Sequence, residues 1–199
     1  NAEGERVSVH LNSPGKHNVL NALAAAAATK AVGCSLQIVK SGLEQFASVS
    51  GRLDLVLAGN RIPVIDDTYN ANPGSLRVAI DLLSELPGKS CLVLGDMAEL
   101  GSSASALHRQ MGSYAAQRGI DELLVIGQYA DAYAQGFQGS QDSRNQAVLE
   151  FDNYDGVARY LIRSVGPETR ILIKGSRSAC MERVIEAMNS LMTSGEGEG

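Results

Sequence analysis

Hydrophobic and polar residues follow two different periods along most of the chain. From Leu53 onward, short apolar runs alternate with longer stretches in which apolar residues recur every three or four positions. The short runs are typical of buried strands, and the longer stretches are typical of amphipathic helices. This pattern predicts strands over Leu53–Leu57, Ile62–Ile65, Cys91–Leu94, Leu123–Ile126, Val148–Phe151 and Ile171–Ile173, and helices over Ser75–Leu86, Ser105–Arg118, Tyr129–Gly136, Tyr154–Ser164 and Ala179–Leu191.

Regular alternation of strands and helices predicts an α/β fold in which a mostly parallel sheet carries helices on both faces. The first two strands are separated only by Ala58-Gly59-Asn60-Arg61, which is short enough for a hairpin. We therefore expect one antiparallel edge in this sheet. The polar stretch Gly139–Gln146 is predicted to be a surface loop, and the glycine-rich tail from Ser194 is too polar to fold alone.

The beginning of the chain has a different pattern. Val7–Leu11 alternates apolar and polar residues and predicts a strand, whereas the alanine-rich run that follows predicts a helix over Asn18–Val32 because alanine is the best helix former. A second helix is predicted over Ser35–Phe46. The pattern changes near Ser50-Gly51-Arg52, so we place a domain boundary there, with residues 1–50 in one domain and 51–199 in the next.

Composition excludes several classes of protein. Hydrophobic residues make up 44% and charged residues 20% of the chain, as in ordinary globular proteins. A net charge of −5 argues against broad binding to nucleic acid or anionic membranes. No apolar run is long enough for a transmembrane helix, and no signal-peptide pattern opens the chain. The first residue is Asn1 and not Met, so we expect the chain to begin inside a longer protein.

The three cysteines, Cys34, Cys91 and Cys180, are widely spaced and lie among apolar residues. This spacing forms neither a zinc site nor a disulfide framework, so we expect buried free thiols in a reducing cytosol. For the single histidines His17 and His108 we expect a local hydrogen bond and not a catalytic role.

Polar residues are concentrated where predicted strands end and the next helices begin. The three richest junctions are Ile62–Ser75, Gly95–Gly101 and Lys174–Ser178. If their strands are parallel, all three lie at one edge of the sheet, where α/β folds bind ligands. Two carboxylate-bearing loops opposite a Lys/Arg/Ser loop suit a small zwitterionic ligand, whose carboxylate would meet Arg177 or a helix N-terminus. Capping and turn formation are the structural alternative for each junction.

Common catalytic motifs are absent from the sequence. Gly88-Lys89-Ser90 and Gly15-Lys16 both lack the opening glycine of a phosphate-binding P-loop, and no Gly-x-Gly-x-x-Gly occurs. The chain also has no His-x-x-x-His metal spacing and no Gly-x-Ser-x-Gly nucleophile elbow, so no metal ligand is predicted.

The order and spacing of several motifs resemble the Mur ligase family. The matching segments are Gly15–Ala25, Gly51-Arg52, Asp66–Pro73, Leu94–Gly101, Leu107–Arg109 and Lys174–Arg177. Members of this family have a UDP-substrate domain, a central ATPase domain with a P-loop, and a Rossmann-like C-terminal domain. The resemblance covers only the end of the central domain, over residues 1–50, and the C-terminal ligase domain, over residues 51–199.

The resemblance implies an ATP-dependent carboxylate–amine ligase of the bacterial cytoplasm that works in peptidoglycan synthesis. Within the family, the later motifs resemble those of the member that joins D-Ala-D-Ala to UDP-N-acetylmuramoyl-tripeptide through an acyl phosphate. Mg²⁺ would be held mainly by the N-terminal remainder of the same protein, and this chain without a P-loop is expected to be inactive alone. The alternatives are another Mur-type or folate-type ligase and a non-catalytic Rossmann-like binding module.

The resemblance also implies roles for individual residues. Asn18 and Asn21, which share a helix face, correspond to asparagines near the adenine of ATP. Arg52 corresponds to a hinge arginine that reaches the nucleotide phosphates, and Asp67, next to the similar Asp66, to the aspartate that holds the ribose hydroxyls. The residues expected to bind the acceptor dipeptide are Asn70, Asn72, Asp96, Lys174, Ser176 and Arg177.

Overall fold

The computed structural model of the chain describes residues 4, 6–12, 16–46, 50–140 and 146–195. The chain divides into two compact units, Asn1–Val49 and Ser50–Gly199. The loop expected over Gly139–Gln146, the tail beyond Gly195 and Gly15 of the first motif lie partly or wholly outside the described residues.

The described part of the first unit contains two helices, α1 (Lys16–Ala31) and α2 (Leu36–Gln45). The side chain of Ser35 caps α2 by accepting a hydrogen bond from the backbone N–H of Ile38. The strand predicted over Val7–Leu11 is wrong, because these residues have no regular secondary structure. A strand needs a neighbour for its ladder of hydrogen bonds. The described part of this unit offers none, and the N–H of His10 instead donates to the carboxylate of Glu44 at 3.0 Å.

The second unit is built around a six-stranded sheet in the order β1-β2-β6-β3-β4-β5. All neighbouring strands are parallel except β1 and β2, which form an antiparallel pair at one edge. The predicted fold class and its antiparallel edge are therefore confirmed. The strands are β1 (Asp54–Ala58), β2 (Ile62–Asp67), β3 (Lys89–Leu94), β4 (Glu122–Ile126), β5 (Ala147–Phe151) and β6 (Thr169–Lys174).

Helices cover both faces of this sheet because side chains of each strand alternate between two apolar layers. On one face Leu92 packs with the helices that carry Ile80 and Tyr133, and on the other Val93 packs with those that carry Leu161 and Val184. The first face is covered by α3 (Pro73–Glu85), α4 (Ala104–Gln117) and α5 (Ala130–Gln138), and the second by α6 (Tyr154–Ser164) and α7 (Glu182–Gly195).

The last helix starts later than the sequence predicts. Arg177–Ala179 form a 3₁₀ turn, and Cys180 adopts a left-handed conformation with φ of 45° before α7 begins at Glu182. This turn shapes the loop after β6, where two of the candidate residues, Ser176 and Arg177, lie. The cysteine prediction is correct only in part, since all three thiols are free but only Cys91 is buried, while Cys34 and Cys180 are half-buried.

Candidate functional site

The three polar junctions meet at one edge of the sheet, as predicted. Strands β2, β6 and β3 are adjacent and parallel, and Lys174 at the end of β6 stands in register with Asp67 on β2 and Leu94 on β3. Two backbone hydrogen bonds join the loops beyond the strand ends: Gly95 N–H donates to the Lys174 carbonyl at 2.9 Å, and Ser176 N–H donates to the Asp96 carbonyl at 2.8 Å. The three loops therefore form one continuous edge, in the position at which α/β sheets commonly bind ligands.

Asp67 and Lys174 form a buried ion pair at the centre of this edge. Lys174 Nζ lies 2.5 Å from Asp67 Oδ2 and also donates to the Asn70 carbonyl at 2.8 Å. Burial raises the pKa of Asp67, and the positive charge and hydrogen bond of Lys174 act in the opposite direction. The carboxylate is thus held in place at the cost of its hydration, which is the usual balance for a buried pair.

Asp66 has a different environment from its neighbour Asp67. Its Oδ1 accepts hydrogen bonds from the N–H of Thr68 at 3.1 Å and from the Thr68 hydroxyl at 2.7 Å. This local turn directs the chain out of β2 toward α3. The bonding of Asp66 is therefore structural, and Asp67 is the better candidate of the two for contact with a ligand.

Arg52 lies over the face of the Tyr69 ring, with its guanidinium carbon 4.3 Å from the ring centroid. Both residues are exposed, and the Tyr69 N–H donates to the carbonyl of Gly51 at 2.9 Å. A Cβ at position 51 would lie 2.9 Å from the backbone nitrogen of Tyr69. The φ of Gly51, which is +77°, also favours glycine at this position. Sequence reasoning did not assign Tyr69, because no local pattern shows that its ring meets a residue seventeen positions earlier.

Asn70 and Asn72 occupy the loop that leads into α3. Asn72 forms a capping box with Ser75: its Oδ1 accepts from the Ser75 N–H at 2.9 Å, and its own N–H donates to the Ser75 hydroxyl at 3.1 Å. Capping, given above as the structural alternative for this junction, is therefore observed at Asn72. Asn70 is exposed, and its Oδ1 accepts from the N–H of Ala71 at 2.9 Å. Both asparagines are exposed, and the side chain of Asn72 is the one that caps the helix.

Asp96 links two of the loops at this edge. Its carboxylate accepts hydrogen bonds from the N–H groups of Gln128, at 2.8 Å, and Tyr129, at 3.0 Å, just before α5 begins. A Cβ on Gly127 would lie 2.6 Å from Asp96 Oδ2, so the approach requires a glycine there. The carboxylate therefore braces the loop after β3 against the loop after β4.

His108 packs beneath the loop after β3 and binds its backbone. Its fully buried ring accepts a hydrogen bond at Nε2 from the Met97 N–H at 2.9 Å, and its Nδ1 bonds the Ala104 carbonyl at 2.7 Å. This network assigns the neutral tautomer protonated at Nδ1. The ring also stacks on Tyr129 with centroids 4.4 Å apart. The predicted local hydrogen bonding of His108 is confirmed, whereas the side chain of His17 lies outside the described residues.

The loop after β6 carries one buried and one exposed candidate. Ser176 is buried, and its hydroxyl shares a 3.1 Å hydrogen bond with the hydroxyl of Ser178. The side chain of Arg177 is 69% exposed and pairs with Glu182 at 2.9 Å. Arg177 therefore presents a cationic group to solvent at this edge, as a site for a small carboxylate requires.

The remaining two candidates, Asn18 and Asn21, lie on α1 in the first unit, where Asn18 is half-buried and Asn21 is exposed. Among the described residues, no three His, Cys, Asp or Glu side chains are grouped so that they could hold a metal ion. None of the helices that the structure describes is long and apolar enough to span a membrane.

Comparison with known proteins relates the chain to one family. The family model described as "Mur ligase, glutamate ligase domain" matches residues 51–177. The UDP-N-acetylmuramoyl-tripeptide–D-alanyl-D-alanine ligase of Escherichia coli is 41% identical over 92% of this chain and 39% of its own length. The ligase of the same name from Bacillus subtilis is 30% identical over 86% of this chain and 38% of its own length. The chain thus spans about two fifths of these curated relatives.

Solved structures show the same similarity. A crystal structure of MurF from Acinetobacter baumannii superposes with a TM-score of 0.79 at 34% identity, covering 92% of this chain and 40% of that one. The crystal structure of MurF ligase from Thermotoga maritima in complex with ADP superposes with a TM-score of 0.77, covering 94% of this chain and 42% of that one. At 24% identity, the second structure supports the fold alone.

Proposed function

Because the chain belongs to the Mur ligase family, we propose that it is the C-terminal part of an ATP-dependent ligase that joins D-Ala-D-Ala to UDP-N-acetylmuramoyl-tripeptide in bacterial peptidoglycan synthesis. The observation that carries this proposal is the meeting of the Asp67, Asp96 and Lys174 loops at the carboxyl edge of β2, β3 and β6. The names of the relatives at 30–41% identity support the choice of acceptor.

Residues 1–50 are proposed to be the end of the central ATP-binding domain, and residues 51–199 the ligase domain. In this proposal Asn18 and Asn21 lie near the adenine of ATP. The guanidinium of Arg52 meets the phosphates, and the carboxylate of Asp67 accepts hydrogen bonds from the ribose hydroxyls. Since each carboxylate oxygen has two lone pairs, Asp67 retains acceptor capacity beside its bond to Lys174.

The acceptor dipeptide is proposed to lie along the same edge. The exposed Arg177 is suited to its carboxylate and the exposed amide of Asn70 to its peptide group. Three other residues first predicted to bind this dipeptide shape the site in this proposal. Asn72 caps α3, Asp96 braces two loops, and Ser176 is buried in the loop after β6.

The proposed reaction begins when ATP phosphorylates the terminal carboxylate of the UDP-tripeptide, which gives an acyl phosphate and ADP. The amine of D-Ala-D-Ala attacks the acyl carbon, and the tetrahedral intermediate collapses to the amide with loss of phosphate. Positive charge from Arg52 stabilises the phosphoryl group in transfer. Mg²⁺ is proposed to be held mainly by the N-terminal remainder of the ligase; among the described residues, no three His, Cys, Asp or Glu side chains are grouped around a metal position.

Two experiments test this function. In the complete ligase, purified from bacterial cytoplasm, ADP release is measured with D-Ala-D-Ala and with single amino acids as acceptors. We expect turnover only with the dipeptide, and joining of a single amino acid or of glutamate to a folate would assign another ligase of this superfamily. In calorimetry, the chain alone is expected to bind ATP weakly and to show no ligase activity. Micromolar ATP binding by the chain alone would favour a self-contained binding module.

A further inference from the structure

The side chain of Lys174 is 2% exposed, although it ends a strand at the candidate site. An ammonium group has three N–H donors and no acceptor. Two of the acceptors it meets are Asp67 Oδ2 at 2.5 Å and the Asn70 carbonyl at 2.8 Å. So little exposed surface leaves no room for a dipeptide carboxylate to approach the ammonium.

We infer that Lys174 is a positioning residue for the nucleotide side of the site and not a contact for the acceptor dipeptide. The inference rests on the proposed role of Asp67 at the ribose of ATP, and it replaces the acceptor role that the sequence suggested for Lys174. The lysine acts through Asp67, whose carboxylate it holds at one orientation, and through the loop that it closes.

The geometry of this loop explains how one lysine can control the nucleotide side. Lys174 donates hydrogen bonds to both ends of the segment from Asp67 to Asn70. One goes to the side-chain carboxylate of Asp67 and the other to the backbone carbonyl of Asn70. Between these two points Tyr69 presents its ring to the guanidinium of Arg52. The two residues proposed to hold the ribose and the phosphates are therefore both connected to one ammonium group.

Removal of the ammonium should also change how Asp67 titrates. The charged groups that act on its carboxylate are Lys174 and Asp66: Lys174 lowers the pKa of Asp67 and Asp66 raises it. Without Lys174, burial and Asp66 both favour the protonated acid, and only the backbone hydrogen bond from Leu53 still lowers the pKa of Asp67. In a Lys174→Met variant, the KM for ATP is therefore expected to improve as the pH rises and Asp67 ionises. A lysine that only filled space would give no such pH dependence.

The experiment compares Lys174→Met, Asp67→Asn and the double variant in the complete ligase. We expect Lys174→Met to raise the KM for ATP about tenfold, as is typical when a hydrogen bond to a charged group is lost. The KM for D-Ala-D-Ala should change much less. Because Lys174 acts through Asp67, the double variant should bind ATP no worse than Asp67→Asn alone. Lys89→Met, which breaks an ion pair with Glu122 at the other end of the sheet, is the matched control and should leave both KM values unchanged.

Two results would overturn the inference: a rise in the KM for D-Ala-D-Ala alone, or effects of the two single variants that add in the double variant. Lys174→Gln replaces Lys174→Met if the methionine variant does not fold; it keeps an N–H donor, and the same selective rise in the KM for ATP is expected at smaller size. If Asp67→Asn leaves the KM for ATP unchanged, the proposed nucleotide role of Asp67 fails as well. If only the Lys174 variants leave it unchanged, this inference alone fails.

Discussion

The guanidinium of Arg52 is stacked on the aromatic ring of Tyr69, 4.3 Å from its centroid. An exposed arginine side chain normally samples many rotamers, and stacking on an aromatic face restricts them. The loop that carries Tyr69 is itself fixed by its bond to Gly51 and by the Asp67–Lys174 pair. The contact therefore favours one position of the Arg52 guanidinium before any ligand arrives.

Loss of the Tyr69 ring should weaken the use of ATP. We expect Tyr69→Leu to lower kcat/KM for ATP in the complete ligase about threefold, which corresponds to the energy of an exposed cation–π contact. Steady-state kinetics with ATP as the varied substrate measure this effect. Tyr69→Phe keeps the aromatic face and is the control, so equal losses in both variants would show that the hydroxyl and not the ring is important.

Two helices on one face of the sheet approach so closely that a methyl group does not fit between them. A Cβ on Gly112 of α4 would lie 2.0 Å from the backbone carbonyl oxygen of Tyr133 on α5. Gly112→Ala should therefore lower the free energy of unfolding by about 2 kcal/mol or more, because backbone must move to admit the methyl group. Urea unfolding of the chain measures the loss.

Gly166→Ala is the matched control for this substitution, since a Cβ at Gly166 would meet nothing within 4 Å. Its effect on the free energy of unfolding should be close to zero. A similar loss in both variants would mean that the close approach of α4 and α5 does not determine the effect.

The antiparallel edge of the sheet predicts a dependence of stability on pH. Asp54 on β1 stands in register with Asp66 on β2, and burial followed by the charge of Asp66 raises the pKa of Asp54 above its ordinary value. A carboxyl whose pKa is higher in the folded state favours folding below its ordinary pKa near 3.8, and that contribution is lost as the pH rises through the raised value.

Asp54→Asn should therefore stabilise the chain at pH 7 relative to the unchanged chain, by less than about 1 kcal/mol because the group is largely solvated. Near pH 3 the carboxyl is protonated in both states and the gain should vanish. Urea unfolding at the two pH values tests this prediction, and an equal effect at both would contradict it.

His108 is expected to stabilise the loop after β3 through its two hydrogen bonds. His108→Leu leaves the buried N–H of Met97 without its acceptor, so the free energy of unfolding should fall by about 1–3 kcal/mol. Thermal or urea unfolding measures this change. His10→Leu is the control, because His10 is exposed and its hydrogen bond to Glu44 uses the backbone N–H. A loss in His108→Leu no larger than in the control would contradict the bracing role.

Local periodicity was enough to predict most of the second unit. A buried strand and an amphipathic helix each repeat with their own period, so alternation such as Cys91–Leu94 followed by Ser105–Arg118 reveals a parallel α/β sheet. Parallel strands place their ends at one edge, and the meeting of the Asp67, Asp96 and Lys174 loops followed from that rule alone. Where the pattern had no partner in space, as in Val7–Leu11, the prediction failed.

The same reasoning could not predict which side chains contact one another at the site. Lys174 meets Asp67 because β6 lies beside β2, and the two residues are 107 positions apart in the chain. Nothing local distinguishes a lysine that faces solvent from one that a neighbouring strand covers. The same holds for Asp96, whose carboxylate is occupied by two N–H groups of a loop more than thirty residues later.

The position of β6 between β2 and β3 also determines when the site can form during protein synthesis. This strand, Thr169–Lys174, is the last of the six to leave the ribosome. Until it does, the β1–β2 hairpin and the β3-β4-β5 sheet each expose an unpaired inner edge, and no strand pairing joins them. Asp67 remains without its cation over the same interval. A nascent chain stopped before residue 169 is thus expected to need a chaperone, and the candidate site cannot form until β6 has been made.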